Sequence, residues 1–332
     1  MTSLVAAPKQ RRGIEHRPMS ENRLNICVVN YKTAAMTIEC LQSVLAERPR
    51  QSCVTIVDSH SEDGSPARIR QWVRDASVED TVNLIELPAN RGFSFAYNTA
   101  IRGSNAEFHL LLNSDTIVRP GAIEALLDAA HRNIRSGLFG PRLEWLDGQP
   151  QESCFRDFTP LGEMVSSAAT GVVSSIFARS VVSLPVRDSE FEPEWLSFAA
   201  VMIRQTVLDK VGFLDEGFFL YFEDCEYCYR ARLAGFPPLY VPTARIVHLR
   251  GGSSDVKRRA AATQRLPRYY YASRTRYFRL RHGALGPIFA NLGWYAGRIV
   301  SLARAIVQRR KSKIPASAWR DIWIDVWGTT DV

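Results

Sequence analysis

Short apolar runs alternate with segments of helical periodicity over the first 140 residues. The apolar runs, each of strand length, lie at 24–29, 53–57, 82–87 and 109–112. Helical spacing follows them at 33–47, 69–73 and 95–102, and from Pro120, since proline is frequent at the first position of a helix. Nearly all-apolar strands that alternate with helices indicate a mostly parallel sheet with helices on both faces. The pattern predicts an α/β, Rossmann-like fold.

The alternation ends near Pro141. Residues 150–190 have no clear periodicity, whereas 224–234 have an apolar helical stripe that Gly235 would end. We therefore expect a disordered lead, one globular body in two halves, and a basic amphipathic helical tail. The expected bounds are 1–22 for the lead, 23–145 and 146–255 for the halves, and 256–332 for the tail.

Polar side chains follow the predicted strands where each strand ends. They are Asn30, Asp58, Asn90 and Asp115. Ligands of open α/β sheets bind beyond the carboxyl ends of the strands, so we expect these residues to border one crevice. Gly92, beside Phe93, would allow a ligand to approach the backbone closely. Solvated turns, such as the one that Asp63 and Gly64 favour, are the alternative interpretation.

Two acidic segments lie at the mouths of apolar runs, where carboxylates are costly to desolvate. Asn113 and Asp115 follow one run, and a hard divalent cation takes such oxygen ligands together with phosphates and water. Glu223 and Asp224 follow the aromatic run 218–222, where a raised pKa would suit proton abstraction. Helix capping is the alternative for both segments.

Three further segments have candidate roles. His248 ends an apolar run, and a neutral imidazole there would complete a metal shell, although a hydrogen-bonded core histidine is the alternative. Arg250 opens a glycine- and serine-rich loop suited to phosphate. Trp195 and Ser197 lie in a segment that would form either a sugar-binding wall for the acceptor or part of the core.

Positive charge is concentrated toward the C-terminus. Residues 250–320 contain 17 Lys and Arg against one acid, Asp255, although the net charge of the chain is only +8. Interleaved basic and aromatic residues are typical of nucleic-acid binding, of helices on an anionic membrane surface, or of a solvated face. The apolar residues between the arginines of 285–307 favour the membrane surface over nucleic acid.

Three features that the sequence lacks indicate the cellular compartment: a signal peptide, an uncharged membrane span and a framework of paired cysteines. The lead at 1–22 has no apolar region of a signal peptide, and the nearest candidate for a membrane span, 286–307, contains two arginines. Six scattered cysteines form no paired framework, and Cys225 and Cys228 are only half of a zinc site. We expect a cytoplasmic protein that is peripherally associated with the inner face of the cell membrane.

Six motifs in order resemble glycosyltransferase family 2, the inverting enzymes with the GT-A fold, and especially its rhamnosyltransferase-like branch. The matching segments are 28–31, 58–65, 90–98, 113–115, 222–235 and 248–253. The resemblance implies that Asp224, with Glu223 beside it, is the catalytic base and that Asp115 and His248 bind Mn2+ or Mg2+. The nucleotide-binding residues that follow from these motifs are Asn30, Tyr31, Asp58, Asp63, Asn90, Gly92, Phe93, Asn98, Asn113 and Arg250.

The implied activity is sugar transfer in cell-envelope polysaccharide synthesis. The donor would be dTDP-rhamnose or a UDP-sugar, and the acceptor a hydroxyl of a glycan or a polyprenyl-diphosphate-linked glycan. The rival interpretation is a non-catalytic protein that binds nucleotide sugars or nucleic acid through a basic arm. Because a pure binder has no use for an acid such as Asp224, the sequence favours the enzyme.

Overall fold

A computed structural model describes residues 23–250, 256–309 and 314–328. The strands β1 to β10 are Leu24–Asn30, Ser52–Asp58, Val82–Glu86, Phe108–Asn113, Thr116–Val118, Leu138–Glu144, Cys154–Phe155, Trp195–Leu196, Ala200–Arg204 and Pro238–His248. The helices α1 to α12 are Ala34–Glu47, Ser65–Asp75, Phe93–Arg102, Ala122–Arg132, Pro160–Ala168, Gly171–Ile176, Gln205–Val211, Glu223–Leu233, Val256–Ala261, Arg268–His282, Gly286–Val307 and Ala318–Asp321. The expected lead at 1–22 and the glycine-rich loop at 251–254 lie outside the described residues.

Eight of the strands form one sheet in the order β3-β2-β1-β4-β9-β6-β10-β5. β3, β2, β1 and β4 are parallel neighbours, and β6 is parallel to β10. β9 runs antiparallel between β4 and β6, and β5 pairs antiparallel with the end of β10. The predicted fold, a mostly parallel α/β sheet, is confirmed.

The sheet is buried on both faces because its strands are apolar at successive positions. Along β1, Ile26 and Val28 belong to a core that includes residues of α1 and α4. Cys27, which points to the opposite face, belongs to a second core with residues of α3 and α8. All six cysteines are free and buried.

The C-terminal helices pack against the body of the protein. Tyr277 and Phe278 of α10 are fully buried in the second core. α11 approaches α5 closely at two glycines: a Cβ on Gly293 or Gly297 would lie 2.1 Å from the carbonyl oxygen of Pro160 or Met164, respectively. The boundary at 255 stays a prediction. Within the described ranges, no helix combines the length and apolarity needed to cross a bilayer.

Candidate active site

A cleft of about 360 Å³ opens beside the carboxyl ends of β1 and β4. It brings together most of the candidate metal and catalytic residues, which come from distant parts of the sequence. Those that line it are Tyr31, Phe93, Asn113, Asp115, Ser197, Glu223, Asp224, His248 and Arg250. The crevice expected from the strand ends therefore exists, although not every expected residue lines it.

Asp115 and His248 are placed side by side by an antiparallel strand pair. β5 pairs with the end of β10, with Thr116 opposite His248, and the backbone N–H of Leu249 donates to the carbonyl of Asp115 at 2.9 Å. The side chain of Gln151 donates to the carbonyl of His248 at 2.7 Å. As a result, Nε2 of His248 lies 3.5 Å from Oδ1 of Asp115.

The chemistry of this pair fits a divalent cation. Burial lowers the pKa of His248 to about 4, although the Asp115 carboxylate opposes the shift, so the imidazole is neutral at physiological pH. Its buried Nδ1 has no hydrogen-bond partner among the residues that the structure describes. The described residues contain no group of three or more His, Cys, Asp or Glu arranged for a metal. Two protein ligands leave the remaining positions to phosphate and water, as Mg2+ sites with bound nucleotides do.

Glu223 and Asp224 occupy the first turn of α8 and face the same cleft. The backbone N–H of Cys225 donates to Oδ1 of Asp224 at 2.9 Å. Glu223 is 5% exposed, and its Oε2 accepts no hydrogen bond from the described part of the chain. The helix is anchored beneath them because Cys225, Tyr227 and other residues of its inner face are fully buried.

Burial raises the pKa of both acids. Desolvation raises the pKa of Asp224 to about 6, while hydrogen bonds from the backbone of Cys225 and of Phe198 limit the shift. Glu223 is desolvated and also repelled by the charge of Asp224, so its pKa is well above the ordinary value. With a pKa of about 6, Asp224 is mostly ionised at neutral pH. Asp224 can therefore act as a proton acceptor in this cleft.

The backbone leading into α8 is strained. Tyr221 and Phe222 both have φ of 71°, a left-handed conformation that side chains with a Cβ disfavour. The carbonyl of the preceding residue, Leu220, accepts a hydrogen bond from the hydroxyl of Ser273 at 3.1 Å. The backbone N–H of Phe93 donates to the carbonyl of Phe219 at 2.7 Å. These contacts hold the turn that aims the two acids into the cleft.

The backbone of Gly92 is closely approached, as expected, but by another part of the protein and not by a ligand. Its φ is 93°, and an added Cβ would lie 2.3 Å from the carbonyl oxygen of Phe219. The side chain of Asn90 accepts the Gly92 N–H at 3.0 Å and shapes this turn. The fully buried Asn98 donates to the carbonyl of Leu214 at 2.8 Å and accepts the N–H of Leu214 at 3.1 Å. In this structure Asn90, Gly92 and Asn98 organise the loop before α8.

Asn30 and Asp58 form a buried network below the cleft. Asn30 donates to Oδ1 of Asp58 at 2.6 Å, and the hydroxyl of Ser61 donates to the same oxygen at 2.6 Å. Both residues are at most 1% exposed, and neither lines the cleft. Asp63 lies further out on the same loop, where it accepts the N–H of Ser65 at 3.0 Å. The nucleotide roles expected of these three residues stay predictions.

The two predicted acceptor residues face different clefts. Ser197 lines the cleft, whereas Trp195 faces a second, larger cleft. Trp195 stacks on Phe155 with ring centroids 4.0 Å apart and donates from its indole N–H to the carbonyl of Arg156 at 2.8 Å. Their acceptor roles also stay predictions.

Several cleft residues were not singled out from the sequence. Lys257 and Arg258, at the start of α9, line the cleft with Arg250, whose guanidinium donates to the side chain of Gln151. The signal for them was the cluster of basic residues directly after the glycine-rich loop. Tyr221 also lines the cleft, but nothing in its spacing distinguishes it from an ordinary core aromatic residue.

Known proteins similar to this chain are glycosyltransferases. The family described as "Glycosyltransferase like family 2" matches residues 22–272. N-acetylglucosaminyl-diphospho-decaprenol L-rhamnosyltransferase of Mycobacterium tuberculosis is 28% identical over 249 residues, which cover 70% of this chain and 77% of the relative. Low-salt glycan biosynthesis hexosyltransferase Agl10 of Haloferax volcanii is 27% identical over 214 residues, which cover 63% of this chain and 61% of the relative.

Solved structures agree on the fold. The mannosyltransferase PcManGT from Pyrobaculum calidifontis, solved with GDP-Man and Mn2+, superposes with a TM-score of 0.55 at 16% identity. The superposition covers 89% of this chain and 77% of that protein. It confirms the predicted glycosyltransferase fold.

Proposed function

This chain belongs to the family described as Glycosyltransferase like family 2 and is a glycosyltransferase, and we propose that it inverts the anomeric centre of a sugar as it transfers it to a lipid-linked glycan. The donor is a nucleoside diphosphate sugar, with dTDP-rhamnose as the first candidate. The observation that carries the proposal is the convergence of Asp115, His248 and Asp224 on one cleft. In a single displacement one base and one leaving-group site suffice, and this cleft offers both.

Asp224 acts as the general base. Its carboxylate is ionised at neutral pH and takes the proton of the acceptor hydroxyl as that oxygen attacks the anomeric carbon. The new glycosidic bond forms on the face opposite the bond to the diphosphate, which leaves with its electron pair. Glu223 lies beside Asp224 in the same cleft, where burial and the charge of Asp224 raise the pKa of Glu223 well above the ordinary value.

The other side of the cleft accommodates the leaving diphosphate. Asp115 and His248 would hold Mn2+ or Mg2+, and such an ion neutralises charge on phosphate oxygens. Arg250 and Lys257, which line the cleft, add positive charge where the diphosphate departs. Fixed positive charges that face the leaving group stabilise the transition state more than the ground state, because the diphosphate gains negative charge as its bond to the sugar breaks.

Two observations support a lipid-linked acceptor: the name of one relative and the exposed apolar face of helix α11 in the C-terminal tail. The M. tuberculosis relative is named for a decaprenyl-diphosphate-linked acceptor. Apolar residues of α11 at spacings of three and seven lie on one face and are exposed: Phe289, Leu292, Ile299 and Ile306. An exposed apolar stripe flanked by basic residues such as Arg304 suits the surface of an anionic membrane, where a lipid-linked acceptor would be met.

The test is transfer with defined donors. Purified protein is incubated with Mn2+, N-acetylglucosaminyl-diphospho-decaprenol in detergent, and either dTDP-rhamnose or a UDP-hexose, and the anomeric configuration of the product is read by NMR. We expect transfer from one donor with inversion. A retained configuration, or no transfer from any nucleoside diphosphate sugar, would contradict the proposal. Transfer from a UDP-hexose alone would favour the hexosyltransferase alternative, which the Agl10 relative supports.

A further inference from the structure

A second cleft, of about 890 Å³, lies between the helical tail and the body of the protein. It is bordered by α5, α6, α10 and α11, and its volume is that of a site for a sizeable organic ligand. Aromatic rings form much of its wall. They are Phe155, Phe158, Trp195, Phe222, Tyr270 and Trp294.

The charged groups of this cleft are engaged with the protein. Arg274, only 4% exposed, donates to the carboxylate of Glu163 at 2.9 Å and to the side chain of Asn291 at 2.7 Å. Arg298 donates to the hydroxyl of Ser301 at 3.1 Å. With these charges satisfied, the surface that remains for a ligand is mainly apolar and aromatic. Such a surface suits hydrocarbon better than a charged phosphate.

The two clefts adjoin at three places in the chain. Phe222 faces the larger cleft, and the next residue, Glu223, faces the smaller one. In the same way, Trp195 lines the larger cleft, and Ser197, two residues later, lines the smaller one. In α9, Lys257 lines the smaller cleft and Ala260 the larger. The larger cleft thus borders the same three segments as the smaller one, and an elongated ligand that extends over both would have its polar end beside the acids and its apolar end among the aromatic rings.

The charge at the junction fits the linking group of such a ligand. Lys257 and Arg258 line the catalytic side of α9, one turn from the apolar side. A diphosphate between a sugar and a hydrocarbon chain would meet these cations as it passes from one cleft to the other. α11 lines the larger cleft and also carries the exposed apolar stripe, so the far end of a long chain would leave along an apolar surface.

We propose that the larger cleft binds the polyprenyl chain of the acceptor and so places its sugar hydroxyl at Asp224. This proposal rests on the proposed function and adds the part of the protein that recognises the lipid. It predicts that the enzyme distinguishes acceptors by chain length as well as by sugar. Aromatic rings and an apolar wall discriminate ligands by contact area, on a scale of roughly tenfold or more per well-packed group.

The test uses substitutions that narrow the larger cleft and lie outside the lining of the catalytic cleft. Ser174 of α6 and Ser166 of α5 line the larger cleft, and Ser175, adjacent to Ser174, is exposed and does not. Ser174→Phe and Ser166→Phe are compared with the matched control Ser175→Phe. The acceptors carry the same sugar diphosphate on either decaprenol or geraniol, and each variant's fold is verified by circular dichroism.

We expect the two cleft variants to raise KM for the decaprenyl acceptor by about tenfold or more and to leave KM for the geranyl acceptor within about twofold. The Ser175→Phe control should match the wild type with both acceptors. Equal effects on both acceptors, or no effect on either, would overturn the proposal. Because Ser166 and Ser174 lie on separate helices, misfolding of one variant leaves the other as a test.

A binding measurement separates this proposal from the proposed function. Decaprenyl phosphate in detergent, without donor, is titrated into wild-type protein, and the intrinsic tryptophan fluorescence, to which Trp195 and Trp294 of the cleft wall contribute, is compared with a titration of geranyl phosphate. A saturable change with decaprenyl phosphate only, lost in Ser174→Phe and kept in Ser175→Phe, supports the cleft assignment. An unchanged signal overturns it. If the wild type transfers no sugar to either acceptor, the proposed function fails while this readout still tests the cleft.

Discussion

The carboxylate of Asp115 lies 3.5 Å from Nε2 of His248, and the contact depends on strand pairing rather than on sequence proximity. β5, only three residues long, pairs with the last residues of β10 and sets Thr116 opposite His248. Asp115 is thus one residue from the paired position, and its side chain turns toward the imidazole. The proposed metal site would require that both strands keep their register.

Loss of either partner should weaken divalent cation binding. Asp115→Asn and His248→Ala each remove one of two protein ligands, so we expect Mn2+ affinity in the presence of a nucleoside diphosphate to fall by at least about tenfold. Electron paramagnetic resonance of free Mn2+ measures this without turnover. The control is His131→Ala, since His131 is exposed and outside the cleft. Unchanged Mn2+ affinity in both variants would exclude this site.

The pH dependence of transfer should follow the ionisation of Asp224. Burial raises the pKa of this carboxyl to about 6, and only the ionised form accepts a proton. We expect kcat/KM to be constant above this pKa and to fall about tenfold for each pH unit below it. The pH profile is measured with a saturating metal concentration. A rate that stays constant down to about pH 5 would contradict the assignment of the base.

Gly92→Ala should disturb the turn that carries the acids. The new Cβ would lie 2.3 Å from the carbonyl oxygen of Phe219 and would also occupy a positive φ. We expect a loss of roughly 2–4 kcal/mol in the free energy of unfolding, together with reduced transfer. The matched control is Gly64→Ala, at φ of 81° with no atom within 4 Å, which should lose only about 1 kcal/mol. Urea denaturation measures both variants, and equal losses would show that the contact with Phe219 is unimportant.

Membrane association should depend on the exposed face of α11. Ile299 is 69% exposed on that face, and Ile299→Glu places a charge where the helix would enter the lipid headgroups. We expect this variant to float less with anionic liposomes than the wild type. Ile134→Glu is the control, because Ile134 is 79% exposed outside the tail. Equal flotation of the two variants would count against α11, and retention on a DNA filter would favour nucleic acid instead.

The sequence predicted the parallel part of the sheet well because its strands are buried on both faces. Runs such as 24–29 and 53–57 contain almost no polar residue, and few structures other than a central strand suit them. β9 was missed because Ala200–Arg204 pairs antiparallel with β4, which only tertiary contacts determine. The glycine contacts of α11 with α5 were missed for the same reason, since Gly293 and Gly297 read locally as helix-weakening residues.

The site was predicted in part. Asp115, Asp224 and His248 stood out because polar groups at the ends of apolar runs are costly unless they have a use, and all three line one cleft. Asn30 and Asp58 followed the same pattern, yet the Asn30 amide donates to Asp58 in a buried network and neither residue lines the cleft. A polar residue at a strand end thus indicates the right edge of the sheet without distinguishing ligand contacts from internal ones.

The central claim is that Asp224 removes the proton of the acceptor hydroxyl in a cleft that binds the donor independently of this residue. The most direct measurement compares Asp224→Asn with the wild type for donor affinity, by calorimetry with the nucleoside diphosphate and Mn2+, and for transfer rate. We predict unchanged donor affinity and a fall in kcat of roughly 10²–10⁴-fold, the usual contribution of a general base. Transfer by Asp224→Asn at close to the wild-type rate would contradict the account.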